Sequence, residues 1–341
     1  MADTSAPATL GGSTGRVRAS HAGRRSVVVM VGGVVVVQAV LAVLFGWPAA
    51  RSTPHDLPIA VVGQSTVVNP MVGGLTAAHP GAFAIRQLGD AAAAQAAITD
   101  RQVYGAIVAD RTGVSVLTAS AASPAVAQLL AQGIPQAIRA RAPGVPVRVQ
   151  DLAPNPAGDP HGAVPATILI PVVITSLVGG ALLAFLAGSA LSRLAGLVGL
   201  ALVGGAMTTL VVQSWLGALA GSYLNNSAVL SLIILAIAAT TAGLARLLHA
   251  GGIALAALTI FFFGFPFSGA TSAPELLPQP WGSLGQALPA GAGSTALRLV
   301  SFFDGAGAGQ PLLVLGLWAV VGLALLLLPS HSRSQRPQSA G

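Results

Sequence analysis

The stretch ITDRQVYGAIVAD, residues 98–110, joins the end of a helix pattern to the start of a strand pattern. It follows an Ala-rich run, DAAAAQAA (90–97), in which Asp90 is a favoured N-cap residue. VYGAIVA (103–109) then has the aromatic and β-branched residues that favour a strand. A helix followed by a strand is typical of a folded α/β module, yet this one lies in a strongly apolar chain.

The composition of the whole chain is that of an integral membrane protein. Of its 341 residues, 54% are hydrophobic and 7% are charged, and the mean hydropathy is +0.79. A soluble domain is about a quarter charged. The sixteen basic residues are all arginine, and Glu275 is the only glutamate. The pI near 11.5 does not indicate nucleic acid as a partner, because the arginines are scattered and several flank apolar stretches.

The residue types that are missing exclude several classes of function. Lysine is absent, so the chain has neither a GxxxxGK[ST] phosphate loop nor a Schiff-base nucleophile, and it cannot be its own P-loop ATPase. Cysteine is absent too, which excludes disulfides, thiolate zinc sites and a Cys nucleophile. No HExxH or paired-Glu motif is present. We therefore expect no enzymatic activity, no catalytic residue and no cofactor.

Histidines are the remaining candidates for a metal site. His55, His79 and His161 are available, and the acidic residues beside them in the sequence or in the same module are Asp56, Asp90 and Asp159. Asp159-Pro160-His161 lies in a linker without obvious further ligands. Solvated surface histidines are the favoured interpretation of all three, and we predict no metal site.

Six stretches are long and apolar enough to cross a membrane, which takes about 20 residues. The first is 26–46, and its preceding arginines are Arg16, Arg18, Arg24 and Arg25. The others lie near 165–190, 196–219, 228–248, 252–268 and 311–329. A cleaved signal peptide is the alternative for the first stretch. Since it exceeds the roughly 7–15 apolar residues of a signal peptide, an uncleaved anchor is predicted.

The positive-inside rule assigns an orientation to these spans. With a cytoplasmic N-terminus, the inner loops and tail hold Arg193, Arg246, His249, Arg333 and Arg336. The short outer turn GSYLNNS (221–227) is uncharged. The prediction is a multi-pass protein of the plasma membrane with both termini cytoplasmic.

The fold class predicted is a polytopic α-helical membrane protein with six transmembrane helices and an extracytoplasmic α/β domain between the first two. Its parts are a cytoplasmic tail (1–25), transmembrane helix 1 (26–46), the α/β domain and its linker (47–163), a five-helix transmembrane domain (164–329) with an outer or re-entrant segment (270–310), and a cytoplasmic tail (330–341).

Short periodic patterns place the elements of the α/β domain. Strands are predicted at 57–63, 81–88, 103–109, 113–119 and 145–152. One helix is predicted at about 90–100, and a second at 123–142, opened by Ser123 and Pro124. Pro135 is expected to kink or divide that second helix. A Pro/Gly-rich linker, 151–165, leads back to the membrane.

The order of these parts resembles the membrane subunits of type-two ABC exporters, and most of all the branch related to the phage infection protein. In that branch a small-residue-rich helix of the outer domain precedes a "YGAI-V/I" strand, which matches Tyr104, Gly105, Ala106, Ile107 and Val108. A glycine inside a strand often marks close packing, so we expect Gly105 to lie against a helix.

The segment after the fifth span is also similar to these permeases. Residues 272–307 are too polar to span, contain the breaks Leu277-Pro278 and Leu288-Pro289, and have a helical stretch near 293–303. The resemblance implies a short outer or re-entrant helix there. One departure is the connection SALSRLAGL (189–197), which is short for the loop that would contact an ATPase and contains Arg193.

The bundle lacks Asp, Glu and Lys in the interiors of its spans, which argues against proton or sodium coupling. Its neutral polar residues include Thr175, Ser176, Thr208, Thr209, Gln213, Ser214, Thr240 and Thr241. Helix–helix hydrogen bonding is their first interpretation, and contact with a translocated substrate is the second. Gly217 and Gly221 form a GxxxG pattern, and 179–188 has a small-residue face, as helix-packing or dimer seams do.

The resemblance implies a permease subunit of an ATP-driven exporter, which works as a homodimer or heterodimer in the lipid bilayer with cytoplasmic ATPase subunits. The aromatic stretch FFFGFPF (261–267) favours a hydrophobic or amphipathic substrate. The alternative is a receptor or scaffold that does not transport and whose outer domain binds envelope components or a phage.

Overall fold

The computed structural model describes residues 14–63, 68–78 and 80–328. His79, Arg333 and Arg336 lie outside the described residues, as do residues 1–13 of the first tail. The chain divides into two units, the first ending at Trp47 and the second beginning at Pro48. The first unit is most of helix α1 (Thr14–Ala50), within which Val27–Ala50 is a candidate membrane span.

The second unit begins with the α/β domain. Its strands are β1 (Leu57–Val62), β2 (Phe83–Leu88), β3 (Gly105–Asp110), β4 (Gly113–Thr118) and β5 (Val147–Asp151), and its helices are α2 (Val68–Ala78), α3 (Ala91–Thr99) and α4 (Pro124–Arg141). The sheet order is β2-β1-β3-β4-β5. Only the β3–β4 hairpin is antiparallel, so the sheet is mixed.

Local signals account for most of these elements. The Asp90 carboxylate accepts a hydrogen bond from the Ala93 N–H (2.7 Å), and the Ser123 hydroxyl accepts one from the Val126 N–H (3.3 Å). Both side chains therefore cap the helices that the sequence predicts. The hairpin turn is closed by Asp110, whose carboxylate accepts hydrogen bonds from the Thr112 N–H and hydroxyl and from the Gly113 N–H.

Two features of the domain differ from the sequence prediction. Helix α2 was not predicted, because its sequence VNPMVGGLTAA contains two glycines and a proline, which are weak helix formers. Helix α4 is not divided at Pro135, and the kink that was predicted as the alternative stays a prediction. Leu130, Ile134 and Ile138 are buried on either side of this proline, and their packing holds the helix together although one backbone hydrogen bond is missing.

The apolar helices of the second unit are α5 (Val164–Leu186), α6 (Ala190–Thr209, continued by a π-helical turn at Leu210–Trp215), α7 (Tyr223–Leu248), α8 (Ala250–Ala257, continued by a π-helical turn at Leu258–Phe263) and α11 (Gly309–Leu327). Five described helices are long and apolar enough to cross a membrane, namely α1, α5, α6 with its π-helical turn, α7 and α11. The chain is thus compatible with a polytopic membrane protein. The predicted span at 252–268 corresponds to a shorter apolar helix, Ala250–Phe263.

Helix α7 is at the centre of this bundle. Within its most apolar window 72% of the residues are buried, against 33% for α5 and 28% each for α6 and α11. Small residues allow the close contacts: a Cβ on Gly180 of α5 would collide with the Ala238 backbone, and one on Gly322 of α11 with the Thr240 backbone. The small-residue face predicted around 179–188 therefore does pack a helix at Gly180.

The GxxxG prediction at Gly217 and Gly221 is wrong. Both glycines have positive φ (+64° and +74°) and lie in the turn between α6 and α7, not on a helix face. The chain reverses direction at these two glycines, because glycine adopts a positive φ without strain.

The polar segment between α8 and α11 folds as a 3₁₀ turn (Pro274–Leu276), α9 (Trp281–Gln286) and α10 (Pro289–Phe302). The helical stretch expected near 293–303 is thus α10. Ala273, Leu276, Leu299, Phe303 and Ala308 are buried in the same apolar cluster as the core of the α/β domain. The domain and this segment consequently share one core.

Gly105 is as tightly packed as the sequence suggests. A Cβ added there would lie 2.6 Å from the Leu117 carbonyl oxygen and 2.7 Å from Cδ1 of Leu130, on α4. We expect Gly105→Ala to destabilise the protein by about 1–3 kcal/mol, because the neighbouring backbone cannot move away. The measurement is thermal unfolding of the purified protein in detergent, followed by circular dichroism.

Gly133→Ala is the matched control, since nothing lies within 4 Å of a Cβ at this exposed position of α4. This substitution is expected to stabilise by about 0.5–1 kcal/mol, the usual gain of alanine over glycine in a helix. Equal effects of the two substitutions would contradict the packing described for Gly105.

Candidate functional site

The α/β domain meets the 269–308 segment through several hydrogen bonds between residues far apart in sequence. The Thr53 N–H donates to the Leu276 carbonyl (3.0 Å) and the His55 N–H to the Glu275 carbonyl (2.8 Å). The Ser123 hydroxyl, which also caps α4, donates to the Ser272 carbonyl (2.7 Å). These contacts fix the 3₁₀ turn against the start of the domain. We call this region the junction.

Arg298 of α10 also connects the α/β domain to the 269–308 segment. Its guanidinium donates from Nη1 to the Ala121 carbonyl of the domain (3.3 Å) and from Nη2 to the Ala270 carbonyl of the segment (3.0 Å). The side chain is only 9% exposed. Burial lowers the pKa of Arg298 to about 10, and the positive charge of Arg101 acts in the same direction.

Tyr104 and Glu275 form the central polar pair of the junction. The hydroxyl of Tyr104, the residue before β3, donates to Oε2 of Glu275 at 2.8 Å across 171 residues of chain. Burial raises the pKa of Tyr104 well above its usual value, and the charge of Glu275 adds to the shift. The phenol is thus held as a neutral hydrogen-bond donor to a carboxylate.

Arg101 lies over the Tyr104 ring of this pair. Its guanidinium carbon is 4.4 Å from the centroid of the Tyr104 ring and 5.1 Å from that of Phe303, within the range of cation–π attraction. Its Nε and Nη1 atoms are buried without a hydrogen-bond partner. The charge is therefore held by aromatic faces, while two of its donor atoms remain unsatisfied.

A cavity of about 310 Å³ opens between these groups. Its polar wall is formed by Arg101, Tyr104, Glu275, Gln286, Thr295 and Arg298, and Gln310 and Pro311 of α11 complete one side. The wall thus contains two guanidinium groups and one carboxylate. This cavity is the strongest candidate functional site among the described residues.

Of the candidate site residues predicted from the sequence, Tyr104 lines this cavity, and Gly105 follows it in β3. The polar residues of the bundle lie elsewhere. Ser176, Thr209 and Thr241 are buried and donate to carbonyls four residues earlier in the chain, as does the exposed Thr175. Thr208 is half-buried and Ser214 is exposed.

Thr240 and Gln213 make hydrogen bonds between helices, as the sequence predicts for neutral polar residues of the bundle. The Thr240 hydroxyl donates to the Trp318 carbonyl of α11 (3.1 Å). Gln213 accepts from the Asn226 side chain (2.9 Å), whose carbonyl oxygen accepts from the Ser301 hydroxyl of α10 (2.9 Å). This chain of hydrogen bonds links α6, α7 and α10 beside the junction.

The histidine and aspartate candidates are placed as follows. Asp159 is buried and accepts hydrogen bonds from the Ala163 and Val164 N–H groups, so it caps α5. His55 is half-buried in the junction with Nδ1 unpartnered, and His161 is exposed. Within the part of the chain that the structure describes, no three His, Asp or Glu side chains are grouped as metal ligands would be.

Arg193, predicted in the ATPase-contact loop, lies in the first turn of α6. Only residues 187–189 separate α5 from α6, and Ser189 and Ser192 form a capping box there. The connection is thus even shorter than the sequence indicated.

Sequence reasoning missed Arg298, Arg101 and the partner of Glu275. The available signals were weak: Glu275 is the only glutamate, and Arg298 is an isolated arginine in an apolar context. Neither signal says which distant backbone carbonyls or hydroxyls lie nearby, because those contacts depend on how the domain packs on the segment.

Comparison of the chain with protein-family models, with curated proteins and with solved structures gave no match. The geometry of the junction and the physical chemistry of the bundle are therefore the basis for functional interpretation.

The protonation state of Tyr104 can be measured because the chain has only two tyrosines, Tyr104 and Tyr223. In a Tyr223→Phe variant, we expect no tyrosinate absorbance from the folded protein up to about pH 11, above the ordinary pKa of about 10. Since the folded pKa is raised, the stability that Tyr104 contributes is complete below the unfolded pKa and is lost as the pH rises towards the folded one. The measurement is a spectrophotometric titration beside circular dichroism.

The Glu275→Gln change made in the same variant is expected to lower the pH at which Tyr104 ionises, because a charge that opposes ionisation is removed. Ionisation near pH 10 with the fold intact would show that Tyr104 is neither buried nor bonded as described.

Proposed function

We propose that the chain is the membrane permease subunit of an ATP-driven, ABC-type exporter. The observation that carries the proposal is the junction, where an α/β domain and the segment between α8 and α11 share one core. A movement of the bundle helices would be passed to the domain through that segment. The order of parts, which resembles type-two ABC exporters, supports the same function.

The residues of the bundle support ATP as the proposed energy source. The described helices α5 to α8 and α11 contain no Asp, Glu or Lys, the groups on which ion-coupled carriers depend. The chain also lacks a lysine for its own phosphate loop. Work supplied by ATP hydrolysed on a separate cytoplasmic subunit is consistent with both facts.

The proposed topology has six membrane crossings, with the short helix Ala250–Phe263 as the fifth, and both termini in the cytoplasm. Arg193 at the start of α6 and Arg246 in the last turn of α7 lie at the end of the bundle away from residue 164, where the α/β domain joins α5. Basic residues at that end favour a cytoplasmic side there and an extracytoplasmic domain. We propose the plasma membrane as the location of the chain.

The transport path is proposed to run between two protomers of a homodimer or heterodimer. Thr175, Thr208, Gln213 and Ser214 are the members of the polar set that retain exposure, so they are available to a substrate or a second protomer. A cluster of Phe263, Phe267 and Trp281, with centroids 4.9 Å apart for the last two, favours a hydrophobic or amphipathic substrate.

The direct test is purification of the tagged full chain from its native membrane in a mild detergent, followed by mass spectrometry. We expect a P-loop ATPase in stoichiometric amount. Arg193→Glu is expected to remove most of that ATPase, since it reverses a charge at the proposed docking end. Arg111→Glu, an equal charge change in the exposed hairpin turn of the α/β domain, is the control and should leave recovery unchanged.

A homo-oligomer without any ATPase, reproduced after cross-linking, would contradict the exporter proposal. That result would instead favour a receptor or scaffold whose outer domain binds envelope components or a phage.

A further inference from the structure

The wall of the junction cavity has an excess of positive charge. Arg101 and Arg298 contribute two guanidinium groups, and Glu275 contributes one carboxylate, one oxygen of which already accepts the Tyr104 hydrogen bond. Asp159 is close enough to attract Arg298, but its carboxylate caps α5 and it does not line the cavity. The charged residues that line the cavity therefore have a net charge of plus one.

Two donor atoms of Arg101 also lack an acceptor. Arg298 uses Nη1 and Nη2 on backbone carbonyls, whereas Nε and Nη1 of Arg101 are buried without a partner. A buried donor without an acceptor is unfavourable, and more so when it carries charge. Buried donors without a partner are expected in a folded protein at a place where a ligand supplies the missing acceptor.

The size and place of the cavity restrict the class of ligand. A volume of about 310 Å³ is at the lower end of the range for small-molecule sites and exceeds what one inorganic anion fills. Gln310 and Pro311, in the first turn of the candidate span α11, form one side of it. The first turn of a membrane span lies at the level of the lipid headgroups.

The net charge of the cavity wall favours one class of anion among those found at the level of the lipid headgroups. A net charge of one favours a monoanion over a dianion. A phosphodiester has this charge, and its tetrahedral oxygens can face two guanidinium groups from different directions. A carboxylate has the same charge, but its sp² oxygens accept hydrogen bonds mainly in the plane of the group.

We propose that the junction cavity binds a monoanionic phosphodiester group, with Arg101 as its principal donor and Arg298 as the second cation that faces it. The phosphodiester is that of an anionic lipid headgroup or of a soluble ester with the same chemistry. This inference stands on the cavity and not on transport, so it holds equally for an exporter and for a receptor.

The test is calorimetric titration of the full chain in a neutral detergent. The probes are dihexanoylphosphatidylglycerol, kept below its micelle concentration, dimethyl phosphate and sodium acetate. We expect saturable binding of the lipid, of dimethyl phosphate or of both. Binding of the lipid alone assigns a headgroup, binding of dimethyl phosphate alone assigns a soluble ester, and binding of both shows that the phosphate is sufficient.

The variants identify the site. Arg101→Gln should weaken binding about tenfold or more, since a charge-assisted bidentate contact is lost. Arg101→Lys keeps the charge without the planar fork and should give an intermediate loss. Arg111→Gln is the matched control and should bind as the unmodified chain does. If Arg101→Gln does not fold, as judged by circular dichroism, Arg101→Lys decides the question alone.

Three results would overturn the proposal. One is the absence of saturable binding of either phosphodiester. Another is acetate binding as tightly as dimethyl phosphate, which would show that any monoanion suffices. The third is unchanged affinity in the folded Arg101 variants, which would place the bound group elsewhere on the protein.

Discussion

The buried guanidinium of Arg298 is the constraint on which the junction depends. It donates to one carbonyl of the α/β domain and to one carbonyl of the segment after α8, and it is 9% exposed. A buried cation of this kind is tolerated only when its donors are satisfied, so the two carbonyls must both be present. Arg298 therefore fixes the position of α10 relative to the sheet, and with it the cavity beside Tyr104 and Glu275.

The segment between α8 and α11 contains much backbone outside long helices, which a lipid environment would not tolerate without hydrogen-bond partners. Side chains supply some of these partners. Gln286 donates to the Ser268 carbonyl (2.8 Å) and accepts from Thr295 (2.7 Å), and the Trp318 indole donates to the Ala287 carbonyl (2.8 Å). Together with the shared core, these contacts explain how a polar, proline-containing segment keeps one conformation at the end of an apolar bundle.

Local signals in the sequence predicted the fold wherever neighbouring residues decide the structure. Asp90 and Ser123 mark helix starts, apolar runs mark the long helices, and Gly105 marks a close approach of strand and helix. Packing overrides a local preference at two places, so neither a division of α4 at Pro135 nor a helical GxxxG pattern at Gly217 is present. Pro135 remains inside a continuous helix, and Gly217 belongs to a turn.

The candidate site could not be predicted in the same way. Arg298 contacts Ala121, and Tyr104 contacts Glu275, across 177 and 171 residues of chain respectively. No periodicity or spacing in the sequence encodes such a pair. A single glutamate and two arginines leave an excess of positive charge at the cavity. These residues lie together as a result of tertiary packing.

The central claim is that the α/β domain and the segment after α8 fold as one body through the junction. A double-mutant cycle with Tyr104→Phe and Glu275→Gln tests it most directly, by denaturant unfolding of the purified chain in detergent. The account predicts a coupling energy of about 1 kcal/mol or more between the two sites. The control pair is Tyr223→Phe with Glu275→Gln, since the Tyr223 hydroxyl donates instead to the Ala206 carbonyl. Effects of the Tyr104 and Glu275 changes that add to within about 0.3–0.5 kcal/mol, like those of the control pair, would contradict it.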